Sequence, residues 1–597
     1  MRVLAALALT GTALGAPLAP LTPARAAQDG PAPAPRASDA DRALIALYEE
    51  YWRWQVEQTG AIEQPDGSLE AGPAIASTAP QAEMRRAADA ARFRDRLDAI
   101  DTAALSPQER INAAVLRSVL TERIEDAAFR EWEMPFDSDS NFWSYWDARS
   151  AFQTVAEYEN YIARMRALPA HFDENIANSR AGLARGFSVP RVTLTGRDAS
   201  LAAYVVDDPE ESPFWAAFET MPARIPAAEQ ERLKREGRAA IAEAITPAYA
   251  ELLAFVRDEY VPNARETIAA YDFPDGREYY AQQIRQYTTL DLSADEIHAI
   301  GLAEVARIEE AMRAIMAEVG FSGTIAEFNE KLRTDSQFIA DTPDELMGVS
   351  SYVAKRVDGQ LVDYFGFLPR RRYTVRPVPD AIAPFYTAGR GGLDSCMMNT
   401  YDLPSRPLYN IPALTLHECA PGHSFQAAFQ REQSEVPRFR RNIYFSGMGE
   451  GWGLYTEFLG EEMGIYRTPY ERFGRLSYEM WRAARLVIDT GIHSKGWSRD
   501  RAIDYLASRT ALSRHEVATE VDRYISWPGQ ALAYKLGEMQ IRRLRSEAED
   551  QLGERFDIRK FHDVVLSLGS VPLLSLEKRI RDFIADGGQG LPGVAYD

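Results

Sequence analysis

Apolar residues recur at helical spacing over most of this chain. The stretch "SDADRALIALYEEYWRWQVE", beginning at Ser38, opens with a cap-like Ser-Asp and then repeats apolar residues every three to four positions. Runs of the same kind predict helices over 81–98, 105–128, 153–184, 228–258, 292–318 and 341–364. "SPQE" at 106–109 and "TPDE" at 342–345 read as helix starts, with proline in the first turn and an acid soon after. Near residue 371 the period changes. "RRYTVRPVP", "APFYTAG" and "SCMMNTYDL" have strand-like composition and predict a small sheet. Helical spacing then resumes over 412–432, 448–465, 471–494, 498–508, 512–524, 529–551, 557–567 and 573–585. No fixed-period repeat interrupts this, and no Gly/Ser linker follows residue 38. The expected fold is mainly α, one unit over 39–597. An N-terminal lobe covers 39–370 and a second lobe 371–597, with the small sheet just before the 412–432 helix.

The chain start changes this picture only at its edge. A basic Met1-Arg2, the apolar run "VLAALALTGTALGA" and "ARA" at 24–26 form a secretory signal pattern, with cleavage expected before Ala27. No cysteine follows the run, which argues against a lipoprotein anchor. Residues 27–38 are Pro/Ala-rich and read as a disordered linker. No later stretch approaches 18 uninterrupted apolar residues, so no membrane span is expected and the mature protein should be exported, periplasmic or secreted. At 46% hydrophobic and 26% charged the composition is that of a globular protein. The formal net charge of -21 disfavours nucleic acid as a partner. Two cysteines, Cys396 and Cys419, cannot staple a fold of 597 residues, so packing must stabilise it.

The chemistry-bearing stretch is "LTLHECAPGHSFQ", Leu414 to Gln426. His417-Glu418 begins like HExxH, where a helix puts two zinc-binding histidines on one face and the glutamate acts as base. Here the second histidine, His423, comes six residues on, rotated by about 240° on an ideal helix. Pro421 cannot continue a regular helix, and Gly422 adds backbone freedom. A two-residue bulge at Pro421-Gly422 would return His423 to the face of His417. Downstream, "SGMGEGWGLYTEFLGEEMG" sets Glu450 and Glu457 seven apart on one face of an apolar helix. A carboxylate buried there needs a partner, and a metal would supply one. The plainer alternative is Glu450 at the positive end of the helix dipole and Glu457 in solvent.

Four stretches together, "HECAPGHSFQ", "EGWGLYTE", "RLVIDTGIHSKGW" and "RYISWPGQALAYKLG", resemble the bacterial family known as domain of unknown function 885. Its members are similar to helical zinc peptidases such as thimet oligopeptidase, angiotensin-converting enzyme and carboxypeptidase Taq. The resemblance spans about 394–537 and implies a helical peptidase-like fold with the site in a cleft. It implies one Zn2+ held by His417, His423 and Glu450, with Glu418 as base and short peptides as substrates. One departure is Ser424, where many relatives carry histidine. Asp489 lies four residues before His493, so Asp489 could orient His493 for a role at the oxyanion, or His493 could simply cap its helix. Glu457 would support the metal ligands from behind. Pro528 interrupts a helix among Arg523, Tyr524, Gln530, Tyr534 and Lys535. The resemblance favours Tyr534 as an oxyanion donor and the other four as substrate contacts; composition alone reads them as surface and packing residues. If the strand through Cys396 flanks the site helix, Cys396 and Cys419 would be close enough for a disulfide. The alternatives are a metal-dependent hydrolase of a non-peptide amide and a zinc-less binding protein of the same fold.

Overall fold

Side-chain caps start the helices close to where the spacing places them. Ser38, Ser106, Thr154 and Thr342 each accept the backbone N–H three residues on, opening Asp39–Thr59, Pro107–Phe129, Val155–Arg185 and Pro343–Asp358. The computed structural model describes residues 38–596, apart from 66, 139, 145, 149–150, 381–382 and 434–435. The expected leader over 1–26 and the linker up to residue 37 lie outside the described residues. Ser38 belongs not to the linker but to the first helix, as its cap.

The fold is mainly helical with a small sheet. The 228–258 run is part of one helical stretch, Ala227–Asn263, with π-turns at Ile241–Ile245 and Phe255–Tyr260. Among the described residues it alone is long and apolar enough to cross a membrane by length and composition. Half of its most apolar window is buried, and Leu233, Ile241, Tyr249 and Tyr260 pack with Tyr158 and Phe172 of the Val155–Arg185 helix. Four helices escaped the spacing argument, Gly276–Thr288, Ile325–Thr334 and the single turns Ala199–Ala202 and Ala216–Glu219.

The boundary expected at residue 370 does not divide the packing. One core joins Leu44 and Tyr51 of the first helix to Phe439, Trp452 and Phe583. A second joins Met312 and Phe328 to Cys396, Leu414, Ile488 and Val521. The long-range burial therefore ties both ends of the chain around the site elements.

The sheet has three strands, with Ser395–Met398 in the centre. Thr374–Pro377 pairs with it in parallel and Gly389–Gly391 antiparallel, so that Val375 and Gly391 both stand opposite Cys396. "APFYTAG" is not a strand: it opens with a 3-10 turn at Ala383–Phe385, and pairing begins only at Gly389. Cys396 and Cys419 are joined in a disulfide, which fixes the central strand to the residue following Glu418.

Candidate metal centre

The 412–432 helix is two helices, Ile411–Glu418 and His423–Glu432. The expected two-residue bulge is instead a full break over Cys419–Gly422, with a cis Ala420–Pro421 peptide. His423 thus reaches His417 from the first position of a new helix, not by sharing a face with it. The break is tied down on both sides. Trp452 Nε1–H donates to the Pro421 carbonyl at 2.9 Å, and Cys419 carries the disulfide. Gly422 is needed for close approach: a Cβ there would fall 1.8 Å from the His417 carbonyl oxygen.

The helix Ser446–Glu462 supplies one face to this pair. Glu450, Gly453 and Glu457, at spacings of three and four, all meet His417. Glu450 Oε2 lies 3.6 Å from His417 Nε2 and 3.4 Å from His423 Nε2. Glu457 Oε1 accepts His417 Nδ1–H at 2.8 Å, which leaves Nε2 as the atom that would coordinate once its proton is lost. Gly453 makes room, since a Cβ would sit 2.7 Å from that ring. The two imidazoles stand nearly perpendicular, with centroids 4.8 Å apart.

These residues fit a zinc ion by distance and by charge. Bonds of about 2.0–2.1 Å place the donors of a tetrahedral Zn2+ roughly 3.3 Å from one another. The three donor atoms here lie within 4.8 Å of one another, with both histidine–glutamate pairs near the tetrahedral edge. Glu418, Glu450 and Glu457 crowd around two imidazoles, and Arg482 faces Glu457, its Nη2 at 3.4 Å. The carboxylates and imidazoles perturb one another. Burial disfavours a charged His417, but hydrogen bonds to Glu450 and Glu457 more than offset it and push the ring up to about 10. Against its own desolvation, Glu450 is held well below the ordinary carboxylate range by His423 and His417.

Glu418 faces the outer edge of the sheet, where its Oε2 accepts Gly391 N–H at 2.6 Å. Ser424, the departure from the family pattern, accepts Gly392 N–H through its hydroxyl oxygen at 3.2 Å. Tyr534 approaches from the helix Ala533–Leu552. That helix crosses Ser446–Glu462 so closely that a Cβ on Gly451 would sit 2.6 Å from Gly537 Cα. Tyr534 lies three residues before Gly537 on this helix, near enough to Tyr444, the partner of Glu450, to act on its hydroxyl. Arg523 Nη2 donates to Gln530 Oε1 at 2.9 Å and lies 3.5 Å from the Tyr534 hydroxyl.

Four residues depart from their expected places. Asp489 does not touch His493: it accepts the Tyr280 hydroxyl at 2.6 Å and Gly529 N–H at 3.2 Å. His493 is wholly buried, accepting Ala270 N–H on Nδ1 and donating Nε2–H to the Tyr524 carbonyl. Burial lowers it to about 3, so it is a neutral packing residue, not an oxyanion donor. Tyr524 is buried too, its hydroxyl bonded to Trp481 and Arg485. Lys535 is fully enclosed by Glu304, Glu479 and Glu538, away from any substrate.

The sequence reading also missed residues. Tyr444, from the loop before the Glu450 helix, donates to Glu450 Oε1 at 3.0 Å. Nothing in its local sequence marks it. Arg482 and Arg485 could have been found, because two arginines inside the apolar stretch "EMWRAARLVI" must have buried partners.

A mainly helical fold carrying a two-histidine, one-glutamate cluster beside a small sheet defines the class. The chain belongs to the family described as bacterial protein of unknown function (DUF885), whose family model matches residues 71–580. Among solved structures it is similar to a "putative lipoprotein" from Colwellia psychrerythraea, with 26% identity and a TM-score of 0.84 over 92% of this chain and 100% of that one. It also shares its fold with a "putative lipoprotein of unknown function" from Shewanella oneidensis, at 16% identity and a TM-score of 0.60 over 91% of this chain and 99% of that one. No curated protein matches the chain.

Proposed function

We propose that this protein is an exported or envelope-associated zinc peptidase acting on short peptides. The carrying observation is the convergence of His417 Nε2, His423 Nε2 and Glu450 Oε2, with Glu418 next to the first ligand. One Zn2+ held by these side chains would keep a position open for water or substrate and supply Lewis acidity there. Glu418 serves as general base, taking a proton from the attacking water and passing it to the leaving amine. The Gly391 N–H on Glu418 Oε2 orients that carboxylate. Tyr534 donates its hydroxyl to the developing oxyanion. The Gly389–Gly391 strand stands at the end of the sheet beside Glu418, a placement that suits an extended peptide backbone and favours peptides over other amides. The names of the Colwellia and Shewanella proteins support a location at the cell envelope.

A peptide library digested by the zinc-loaded protein and read by mass spectrometry tests this. Cleavage that disappears in Glu418→Gln and after chelation is expected. An intact library with zinc bound would overturn the proposal.

A further inference from the structure

The sheet meets the break after Glu418 at one register position. Gly391 and Cys396 stand directly opposite each other in the antiparallel pair, so both present the same face. At Gly391 that face touches the site backbone: a Cβ there would fall 2.1 Å from the Glu418 carbonyl oxygen and 2.6 Å from His423 Cβ. At Cys396 it carries the sulfur bonded to Cys419. Gly391 N–H also donates to Glu418 Oε2 at 2.6 Å. The disulfide therefore joins the residue after Glu418 to the residue opposite the donor that holds the Glu418 carboxylate. Both cysteines are wholly buried, and neither is free.

Two further contacts across this seam are long. The Ser424 hydroxyl oxygen accepts Gly392 N–H at 3.2 Å, and its O–H reaches the Ser395 carbonyl at 3.5 Å. The metal donors are held from the other side. Glu457 holds His417, Trp452 holds the Pro421 carbonyl just before His423, and Glu450 stands on the same helix, Ser446–Glu462. None of these three contacts passes through the sheet. Glu418 differs: its side-chain hydrogen bond comes from the sheet itself.

We propose that Cys396 and Cys419 are positioning residues for Glu418, and that hydrolysis depends on their oxidation. This rests on the peptidase reading above and adds a redox requirement to it. Without the bond the strand pair moves off the break, Gly391 N–H leaves Glu418 Oε2, and the base loses its aim at the attacking water. The metal donors stay together. The pair forms when two thiols give two electrons and two protons to a disulfide oxidant, whose own sulfur–sulfur bond opens to two thiols. Compartments outside the cytosol sustain that exchange, whereas cytosolic thiols reverse it. A chain still inside the cell would therefore hold zinc without full activity.

The test compares two samples of the full chain, both unfolded in urea and refolded with zinc, one of them reduced with a water-soluble phosphine while unfolded. The phosphine takes the oxygen of water to become its oxide, and each sulfur takes one of the water's protons. The reduced chain should show both thiols, the helical content of the oxidised chain and about one Zn2+. Its kcat on the peptide Ala-Ala-Phe-Ala-Ala should be roughly 100-fold lower, with KM within about twofold. Oxidised glutathione should restore kcat. The double variant Cys396→Ala, Cys419→Ala should match the reduced chain and gain nothing from glutathione. Unchanged kcat in the reduced chain overturns the proposal and leaves the peptidase reading standing. Loss of helical content or of zinc on reduction also overturns it, because the disulfide then supports the fold or the metal donors rather than Glu418. If even the oxidised chain cleaves no peptide, the peptidase reading fails, and amide hydrogen exchange decides the positioning role. Exchange at Gly391 about tenfold faster on reduction, with Ser446–Glu462 unchanged, supports it, and equal exchange overturns it.

Discussion

Two clusters of buried charge lie close together in this fold and are built in opposite ways. Around Lys535, the cations Arg307, Arg475 and Arg542 face Glu304, Glu479, Glu538 and Glu461, each in contact with an opposite charge. That cluster ties the helices Ala294–Glu318, Pro469–Lys495 and Ala533–Leu552 together and is internally neutral. Around His417, by contrast, Glu418, Glu450 and Glu457 surround two imidazoles, Arg482 faces Glu457, and three donor atoms converge. Matched charge makes a clamp, whereas donors aimed at a shared point would, on the proposed reading, receive a cation. Burial and residue type alone do not separate the two; the balance of partners does.

The difference predicts opposite responses to substitution. Glu418→Gln should lower peptide hydrolysis by roughly 10²–10⁴-fold while leaving bound zinc and the urea midpoint unchanged. Full activity in that variant would remove Glu418 from the chemistry. Lys535→Met strips the central cation from Glu304, Glu479 and Glu538, so it should destabilise the fold by about 3–5 kcal/mol in urea titration, with zinc per folded chain unchanged. A loss below about 1 kcal/mol would mean that the clamp is not structural. Glu457 belongs to the open cluster but is itself buried and bonded. Glu457→Ala should weaken zinc binding by about 10–100-fold in competition with a chelator.

The smallest effect concerns a third buried set, Asp489 and His493, which act separately. Burial raises Asp489 from 3.8 to about 7, so its contribution to stability is complete below pH 3.8 and is lost as the pH rises through 7. Burial lowers His493 from 6.5 to about 3, so its contribution is present above pH 6.5 and is lost as the pH falls toward 3. Between these limits the two slopes oppose each other, each at most about 1.4 kcal/mol per pH unit. Asp489→Asn removes one slope. Unfolding free energies measured from pH 6.5 to 4 should then fall more steeply than in the unaltered protein, and parallel curves would contradict the assignment.

The helices were legible wherever a polar cap met a periodic apolar face, as at Ser38, Ser106 and Thr342. Gly276–Thr288 was not, because it starts at Asp275 without a side-chain cap and reads "GREYYAQQIRQYT", polar at most positions. At the site, the residue types and the Glu450–Glu457 spacing could be read directly. The break after Glu418 could not, because its shape depends on Trp452, on the disulfide and on a second helix axis. The Asp489–His493 contact allowed by spacing failed for a similar reason: Tyr280, Gly529, Ala270 and Tyr524, from distant segments, took those polar atoms first. Lys535 misled because a buried lysine and a substrate-binding lysine look alike until the opposing carboxylates on other helices are seen.

Zinc content is the most direct measurement. The purified protein, reconstituted and desalted, should hold about one Zn2+ per chain, and His423→Ala should lose it without a change in helical content. A protein that stays zinc-free after reconstitution, or a His423→Ala variant that binds as tightly as its parent, would contradict a metal centre built on His417, His423 and Glu450.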